Sequence, residues 1–390
     1  MEFCVVSTNY RTEKAHVHVF LDNIVVQFVD RGHKCNVIAP QSFVTYFFKK
    51  NKRRELVSVR KTKAGNEYTV YSPPYLVFPK KKFGKLCLAD WTRYFFYKSI
   101  EGAYKKYKLN ADVVYSHFIQ AGTAAVRLGK KLGVPSFIAN GEADTPASMA
   151  HNSKALVDRT LIGVSGIISV STKNKDEIEA MCGGDANIMK KVAIIPNAVD
   201  SDKFYKKDKL ECRKKLGFPE DKFIVAFTGS FIERKGVLRL AEAIDRFDDV
   251  YSVFIGTGAE NPECKNILYK GRVENSLMID YLNAADAFVL PTLAEGCSNA
   301  IVEGIACGLP VISADLPFNY DILDETNSIM LDPMSVDEIA EAIGKLKNNR
   351  ELCETLAKGS EERAKSLTID ARAEKILAFI DKIKGKFKEK

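Results

Sequence analysis

No apolar run in this 390-residue chain approaches the ~20 residues needed to cross a bilayer. The longest, Leu161–Val170, is about strand length and is broken by Gly163 and Gly166. The chain opens on a strand-like segment, Phe3–Ser7, without the long apolar region of a signal peptide, so a cytoplasmic location is expected. No C-x-x-C pair occurs among the nine cysteines (4, 35, 87, 182, 212, 264, 297, 307 and 353). Their odd number and wide scatter argue against a disulfide framework or a zinc site and fit reduced thiols. Collagen-like, repeat and disorder signatures are absent. No helix-turn-helix, RNA-recognition or zinc-finger pattern occurs, so nucleic acid is not an expected partner.

What the chain does have is an ordinary globular composition, 46% hydrophobic and 28% charged, and a length that suggests two domains. Its net charge of +8 is unevenly placed: residues 1–150 carry +13 and the remainder −5. Basic clusters lie at Lys49–Arg54, Lys80–Lys85 and Lys105–Lys108, among aromatics such as Tyr46, Phe47, Phe48, Phe78 and Tyr94. One reading is a solvated basic face. The other is contact with an anionic membrane surface or a phosphorylated acceptor.

Short β-branched runs alternate with longer amphipathic segments along the whole chain. In the first half, strands are expected at Phe3–Ser7, Cys35–Ala39, Asp112–Tyr115, Pro135–Ala139 and Gly166–Ser169, with helices at His18–Arg31, Ala89–Tyr107 and Gln120–Leu132 between them. A second block repeats the theme, with strands Lys222–Thr228, Tyr251–Ile255, Ala287–Pro291 and Val311–Ser313 and helices Gly236–Ile244, Ser276–Asn283 and Asn299–Cys307. This rhythm predicts doubly wound parallel sheets. The lysine-rich stretch Pro196–Asp208 marks the junction, giving domains over about 1–197 and 198–369. The default ligand site is a cleft between them.

Two segments carry chemistry. In Phe288–Asp315, FVLPTLAEGCSNAIVEGIACGLPVISAD, a strand ends at Pro291 and a helix starts near Asn299. The helix N-terminus is a potential anion site, and Gly296 permits close backbone approach to a ligand. Glu295 and Glu303 are two carboxylates beside it, suited to accepting hydrogen bonds from sugar or ribose hydroxyls. The bland alternative is a strand–loop–helix with solvated glutamates. In Phe227–Gly236, FTGSFIERKG, a strand runs into Gly229, and Arg234-Lys235-Gly236 opens a helix, an arrangement that favours a phosphate or diphosphate.

Together these segments resemble the family-four retaining glycosyltransferases. That family has a G-x(4)-R-K-G-like loop and a Glu-x7-Glu motif in its C-terminal domain. Here four residues separate Gly229 from Arg234, and Glu295 and Glu303 are eight apart. IGTG at 255–258, ADAFVLPT at 285–292, CGLPVI at 307–312 and IPNAVDSDKF at 195–204 extend the likeness, the last with Ala198 where the family usually has Gly. The resemblance implies the GT-B fold: two Rossmann-like α/β domains facing across a cleft, the C-terminal helix (about 370–390) being a candidate to pack back on the first.

It further implies transfer of a sugar from a nucleotide-sugar donor, with uridine and guanosine carriers both open and a mild preference for a UDP-sugar, while the basic face points to a glycan or lipid-phosphate-linked acceptor in surface polysaccharide biosynthesis. The enzyme would work peripherally on the inner face of the cell membrane. By that resemblance Arg234 and Lys235 hold the diphosphate, Glu303 the ribose and Glu295 the transferred sugar. Gly229 and the amides of Gly296, Cys297, Ser298 and Asn299 meet phosphate or sugar. Gly258, Arg272 and Val273 lie near the base, and His117, ending YSH at 115–117, faces the sugar. Retention follows from front-face attack with the leaving phosphate taking the acceptor proton. No metal is required, because cations and helix ends stabilise the leaving diphosphate.

Some features depart from the pattern. The Gly-Gly pair after the first strand is replaced by a loop at 9–16, and a later His-Gly by Asn140-Gly141-Glu142. His16 and His18, two apart, do not share a helix face, so no metal site is expected there. Asp200-Ser201-Asp202 spells D-x-D, but in the interdomain linker it reads as a hinge. The competing functions are a GT-B-type sugar-nucleotide epimerase or hydrolase, and a non-catalytic partner subunit.

Overall fold

The computed structural model describes residues 1–11, 19–79, 82–83, 86–150 and 152–388. His16, His18, most of the loop at 9–16 and most of the lysine cluster at 80–85 lie outside the described residues. The chain divides into two α/β units. One comprises Met1–Val170, Asn174–Ile195 and Ala373–Lys390, the other Ser171–Lys173 and Pro196–Arg372.

The first unit is built on an eight-stranded sheet in the order Val192–Ile194, Gly166–Ser169, Ser136–Asn140, Val113–His117, Glu2–Val6, Lys34–Ile38, Glu67–Tyr71, Val57–Lys61. Every pairing is parallel except the last, where Val57–Lys61 runs antiparallel to Glu67–Tyr71. Its central strands are apolar without alternation, and Phe3, Cys4, Val5 and Val6 are all fully buried. That pattern belongs to a sheet covered on both faces. One cover is formed by the helices Leu88–Lys106 and Ile119–Leu132, whose Phe96, Ile100, Ala121 and Leu128 pack on Cys4, Val6 and Val114. On the helix Val19–Asp30, Phe28 stacks on Phe3 with ring centroids 4.8 Å apart. The C-terminal segment also packs here, Phe379 meeting Phe137 edge-on at 6.1 Å.

The second unit has six parallel strands in the order Ile267–Gly271, Val250–Ile255, Phe223–Thr228, Ala287–Leu290, Val311–Ala314, Ser328–Leu331. Numbered along this unit the order is 3-2-1-4-5-6, the Rossmann arrangement. It reverses between Phe223–Thr228 and Ala287–Leu290, and in such sheets a ligand crevice opens beyond the carboxyl ends of those two strands. The segments FTGSFIERKG and LPTLAEGCSN leave from those ends. In the first unit the same reversal falls between Glu2–Val6 and Val113–His117, so His117 ends a strand at that unit's switch point.

Candidate functional site

At the switch point of the second unit, Arg234 and Lys235 lie in a short 3-10 turn, Glu233–Lys235, ahead of the helix Val237–Ile244, rather than in the helix's first turn. Both reach Glu295. The Lys235 ammonium donates to Glu295 Oε1, and Arg234 Nη1 lies 3.3 Å from the same oxygen. Thr292 Oγ1 donates to it as well, at 3.1 Å. Arg234 also donates to the Ala294 carbonyl. Lys235 and Glu295 are largely shielded, whereas Arg234 keeps 40% of its side-chain surface exposed. The result is a compact group of two cations and one carboxylate with a net positive charge.

Glycine is required here for steric reasons. A Cβ on Gly236, whose φ is +73°, would stand 2.4 Å from the Pro291 carbonyl oxygen, so the cation turn can press on the Glu295 loop only without a side chain. A Cβ on Gly256 would stand 1.8 Å from the Gly229 carbonyl oxygen. The loops after the first three strands are thereby laid backbone against backbone: Gly229 N–H donates to Ile255 O at 2.9 Å, Phe231 N–H to Thr257 O at 3.0 Å, and Gly256 N–H to Gly271 O at 2.8 Å. Gly258 sits against Phe231 in the same crossing. Arg272 joins it, its Nε donating to Thr257 Oγ1 at 3.2 Å, with half-buried Val273 next in the chain.

The helix Asn299–Ala306 starts from Ser298, whose hydroxyl accepts from Ile301 N–H at 3.5 Å, a serine N-cap that fixes where the helix begins. Gly296 and Cys297 are buried and Asn299 is exposed. Burial pushes the Cys297 thiol up to about 12, so it carries no thiolate at neutral pH. Glu303 is half-buried on this helix, and desolvation alone pushes its carboxyl up to about 7.

The sequence reading missed a support for this loop. Asn197, in the IPNAVD phrase, donates from Nδ2 to the Cys297 carbonyl at 2.9 Å, and Arg372 Nη1 donates to Asn197 Oδ1 at 2.6 Å. The strand-like pairing of Val199 with Thr368 holds the two segments side by side. The phrase stood out as a motif, but its partners lie 100 and 175 residues away, beyond what local pattern can reveal.

In the first unit His117 is buried, its ring 4.5 Å from that of Phe20 and 4.7 Å from that of Phe118. Phe118 has φ +66°, an uncommon left-handed conformation for a bulky residue, and it turns the chain sharply from strand into the helix Ile119–Leu132. Glu142, noted in sequence only as a departure, fixes this turn. Its carboxylate accepts from Ile119 N–H at 2.7 Å and from Gly141 N–H at 3.0 Å. Burial raises Glu142 to about 7 despite those bonds. The described part of the 9–16 loop is tied down too. Arg60 donates to the Arg11 carbonyl, and Tyr68 donates to Asp22 Oδ1 at 2.7 Å while Arg11 pairs with Asp22 at 3.3 Å.

The D-x-D sequence forms a local turn: Asp200 Oδ1 accepts from Asp202 N–H at 3.2 Å, and Asp200 pairs with Lys203 at 2.7 Å. Among the described residues no group of three His, Cys, Asp or Glu side chains could hold a metal ion.

Residues 208–363 match the family described as glycosyl transferases group 1. The chain is 26% identical over 343 residues to the putative teichuronic acid biosynthesis glycosyltransferase TuaC of Bacillus subtilis, covering 85% of each. Among solved structures it is similar to sucrose-phosphate synthase from Thermosynechococcus elongatus, with a TM-score of 0.72 at 15% identity over 98% of both chains. It is also similar to HepE of Anabaena in complex with UDP, with a TM-score of 0.70 at 14% identity over 98% of this chain and 100% of that one. The fold is accordingly GT-B.

Proposed function

We propose that this chain, whose residues 208–363 match the glycosyl transferases group 1, is a glycosyltransferase that moves a sugar from a UDP-sugar to a glycan or lipid-phosphate-linked acceptor in surface polysaccharide synthesis, with retention of anomeric configuration. The observation that carries the donor-site reading is the convergence of Arg234, Lys235 and Glu295 at the switch point of the second unit's sheet. The uridine preference is supported by the UDP held in the similar HepE structure. The acceptor class is supported by the teichuronic acid pathway named for TuaC and by the basic surplus of residues 1–150.

In this reading Arg234 and Lys235 meet the donor diphosphate. Breaking the sugar–phosphate bond places negative charge on the leaving group and positive charge on the anomeric carbon. Preset cations and the amides at the start of Asn299–Ala306 stabilise that negative charge without reorganising at the moment of reaction. This makes a metal unnecessary. Glu295, bonded to both cations and to Thr292, is a weak nucleophile. Its role is to accept hydroxyl hydrogen bonds from the transferred sugar. The acceptor hydroxyl attacks from the leaving-group face, and a phosphate oxygen takes its proton. Glu303 binds the ribose, while Gly229, Gly258, Arg272 and Val273 border the nucleotide. Asn197 with Arg372 positions the loop carrying Glu295.

The test is turnover with UDP-sugars and a lipid-phosphate acceptor, compared with donor alone. Transfer that depends on acceptor, with the product's anomeric configuration matching the donor's, supports the reading. Epimerisation or hydrolysis of donor without acceptor contradicts it.

A further inference from the structure

We propose that the short helix Phe43–Phe48 and the neighbouring exposed edge of the helix Leu88–Lys106 form a docking face for an anionic lipid bilayer, aromatic rings entering the headgroup region and adjacent cations meeting lipid phosphate. The inference rests on the membrane-linked acceptor proposed above and names the segment that makes the contact.

The helix Phe43–Phe48, FVTYFF, buries none of its residues. Phe48 is 74% exposed, and Phe47 and Val44 are each 52% exposed. Single exposed apolar side chains are ordinary, but these cluster: the Phe43 and Phe47 rings are 4.3 Å apart, and those of Tyr46 and Phe47 4.8 Å. The projection is held in place. Ser42 caps the helix by accepting from Thr45 N–H at 3.0 Å. Gln41 clamps the base of the excursion, donating to Arg54 O and Ser72 O at 2.8 Å and accepting from Arg54 N–H at 2.9 Å.

The face continues beyond this helix. Gln41-Ser42 pairs with Pro74-Tyr75, and the chain leads on through exposed Leu76 and Val77 to Phe78. Phe78 N–H donates to Thr92 Oγ1 at 2.8 Å, and its ring lies 6.1 Å from that of Trp91. Trp91 and Tyr94 are about half exposed. Cations are interleaved with the rings. Arg53 lies 4.3 Å over Tyr46 and Lys98 5.8 Å over Tyr94, and Lys49 and Lys52 are exposed.

Apolar rings backed by cations match a bilayer's boundary, where aromatic side chains settle at headgroup level and Lys/Arg meet anionic lipid. A second copy of the same face would oppose like charges. Val44, Leu76 and Val77, exposed on the same face, offer aliphatic surface that suits acyl chains better than the polar backbone of a nucleic acid.

Trp91 is the sole tryptophan of the chain, so its fluorescence reports this face alone. The full chain is mixed with vesicles of phosphatidylglycerol and phosphatidylcholine, or of phosphatidylcholine only. The expected results are flotation with the anionic vesicles, a blue shift of Trp91 emission and its quenching by brominated acyl chains, all weakened by high salt. The variant Phe47→Ser/Phe48→Ser, altered at exposed positions, should bind anionic vesicles at least about tenfold more weakly. Failure of the wild type to float, absence of Trp91 quenching, or undiminished binding by the variant would overturn the proposal. So would a wild-type dimer that the variant dissolves while vesicle binding stays absent. A thermal-shift titration with UDP on both proteins keeps the readings apart: loss of any UDP response in both would sink the donor-site reading and leave the vesicle result standing.

Discussion

The Lys235 ammonium rests on the Glu295 carboxylate, joining the turn after the first strand of the second unit to the loop after its fourth. The pair holds a cation at the switch point while leaving it exchangeable with an anionic ligand. Lys235→Ala should therefore weaken UDP binding at least about tenfold and lower kcat/KM about a hundredfold or more. Glu295→Gln should keep UDP affinity within about threefold, since a phosphate then meets less competition, and should lose mainly kcat. Isothermal titration alongside steady-state kinetics separates the two.

Glu303 titrates near 7 instead of 4.5 because burial disfavours its charged form. The sign follows from proton counting. Below about 4.5 the carboxyl is neutral in folded and unfolded chains, and it contributes nothing. As pH rises toward 7 the unfolded chain releases the proton first, so stability falls, by up to about 3 kcal/mol once pH exceeds 7. Glu303→Gln should raise the melting temperature at pH 8, change it little at pH 4.5, and weaken UDP binding. Scanning calorimetry at the two pH values, with and without UDP, checks all three.

Asn197 is expected to act through the Cys297 carbonyl and not by touching substrate. Asn197→Ala removes that bond and leaves buried Arg372 without one of its acceptors, a cost of about 1–3 kcal/mol. Donor KM should rise more than kcat falls, because the loop carrying Glu295 loses its anchor while the cations stay. Asn197→Asp, which keeps the acceptor toward Arg372 but loses the donor toward Cys297, should restore stability better than donor affinity. Equal recovery of both would contradict a positioning role.

Gly256→Ala should be among the most damaging single substitutions in the second unit, since its Cβ would overlap the Gly229 carbonyl at 1.8 Å. Gly183→Ala, in open space at φ +64°, should cost only about 1 kcal/mol. Comparing urea midpoints of the two variants tests whether the loops at Gly229 and Gly256 cross as closely as these contacts require.

Much of this was readable before the structure. The helix expected at Asn299–Cys307 is found at Asn299–Ala306, because serine capping and a terminal glycine are local signals. The apolar strands Phe223–Thr228 and Ala287–Leu290 were legible for the same reason. The edge strand Ser328–Leu331 was not, since four residues after a polar turn give too little periodicity. Nor was the helix Phe43–Phe48, whose uniformly aromatic sequence has no buried stripe to mark it. Glu142 and Asn197 escaped as supporting residues because each acts on a backbone group fixed by tertiary packing: Ile119 N–H, 23 residues away, for one and the Cys297 carbonyl for the other.

The central claim is that the Arg234–Lys235–Glu295 cluster grips the diphosphate of a nucleotide-sugar. It is tested most directly by titrating UDP, GDP and UMP into the wild type and into Lys235→Ala by calorimetry. The account predicts UDP binding well above UMP in the wild type, with most of that difference lost in the variant. Equal binding of UDP and UMP, or an unchanged preference in Lys235→Ala, would contradict it.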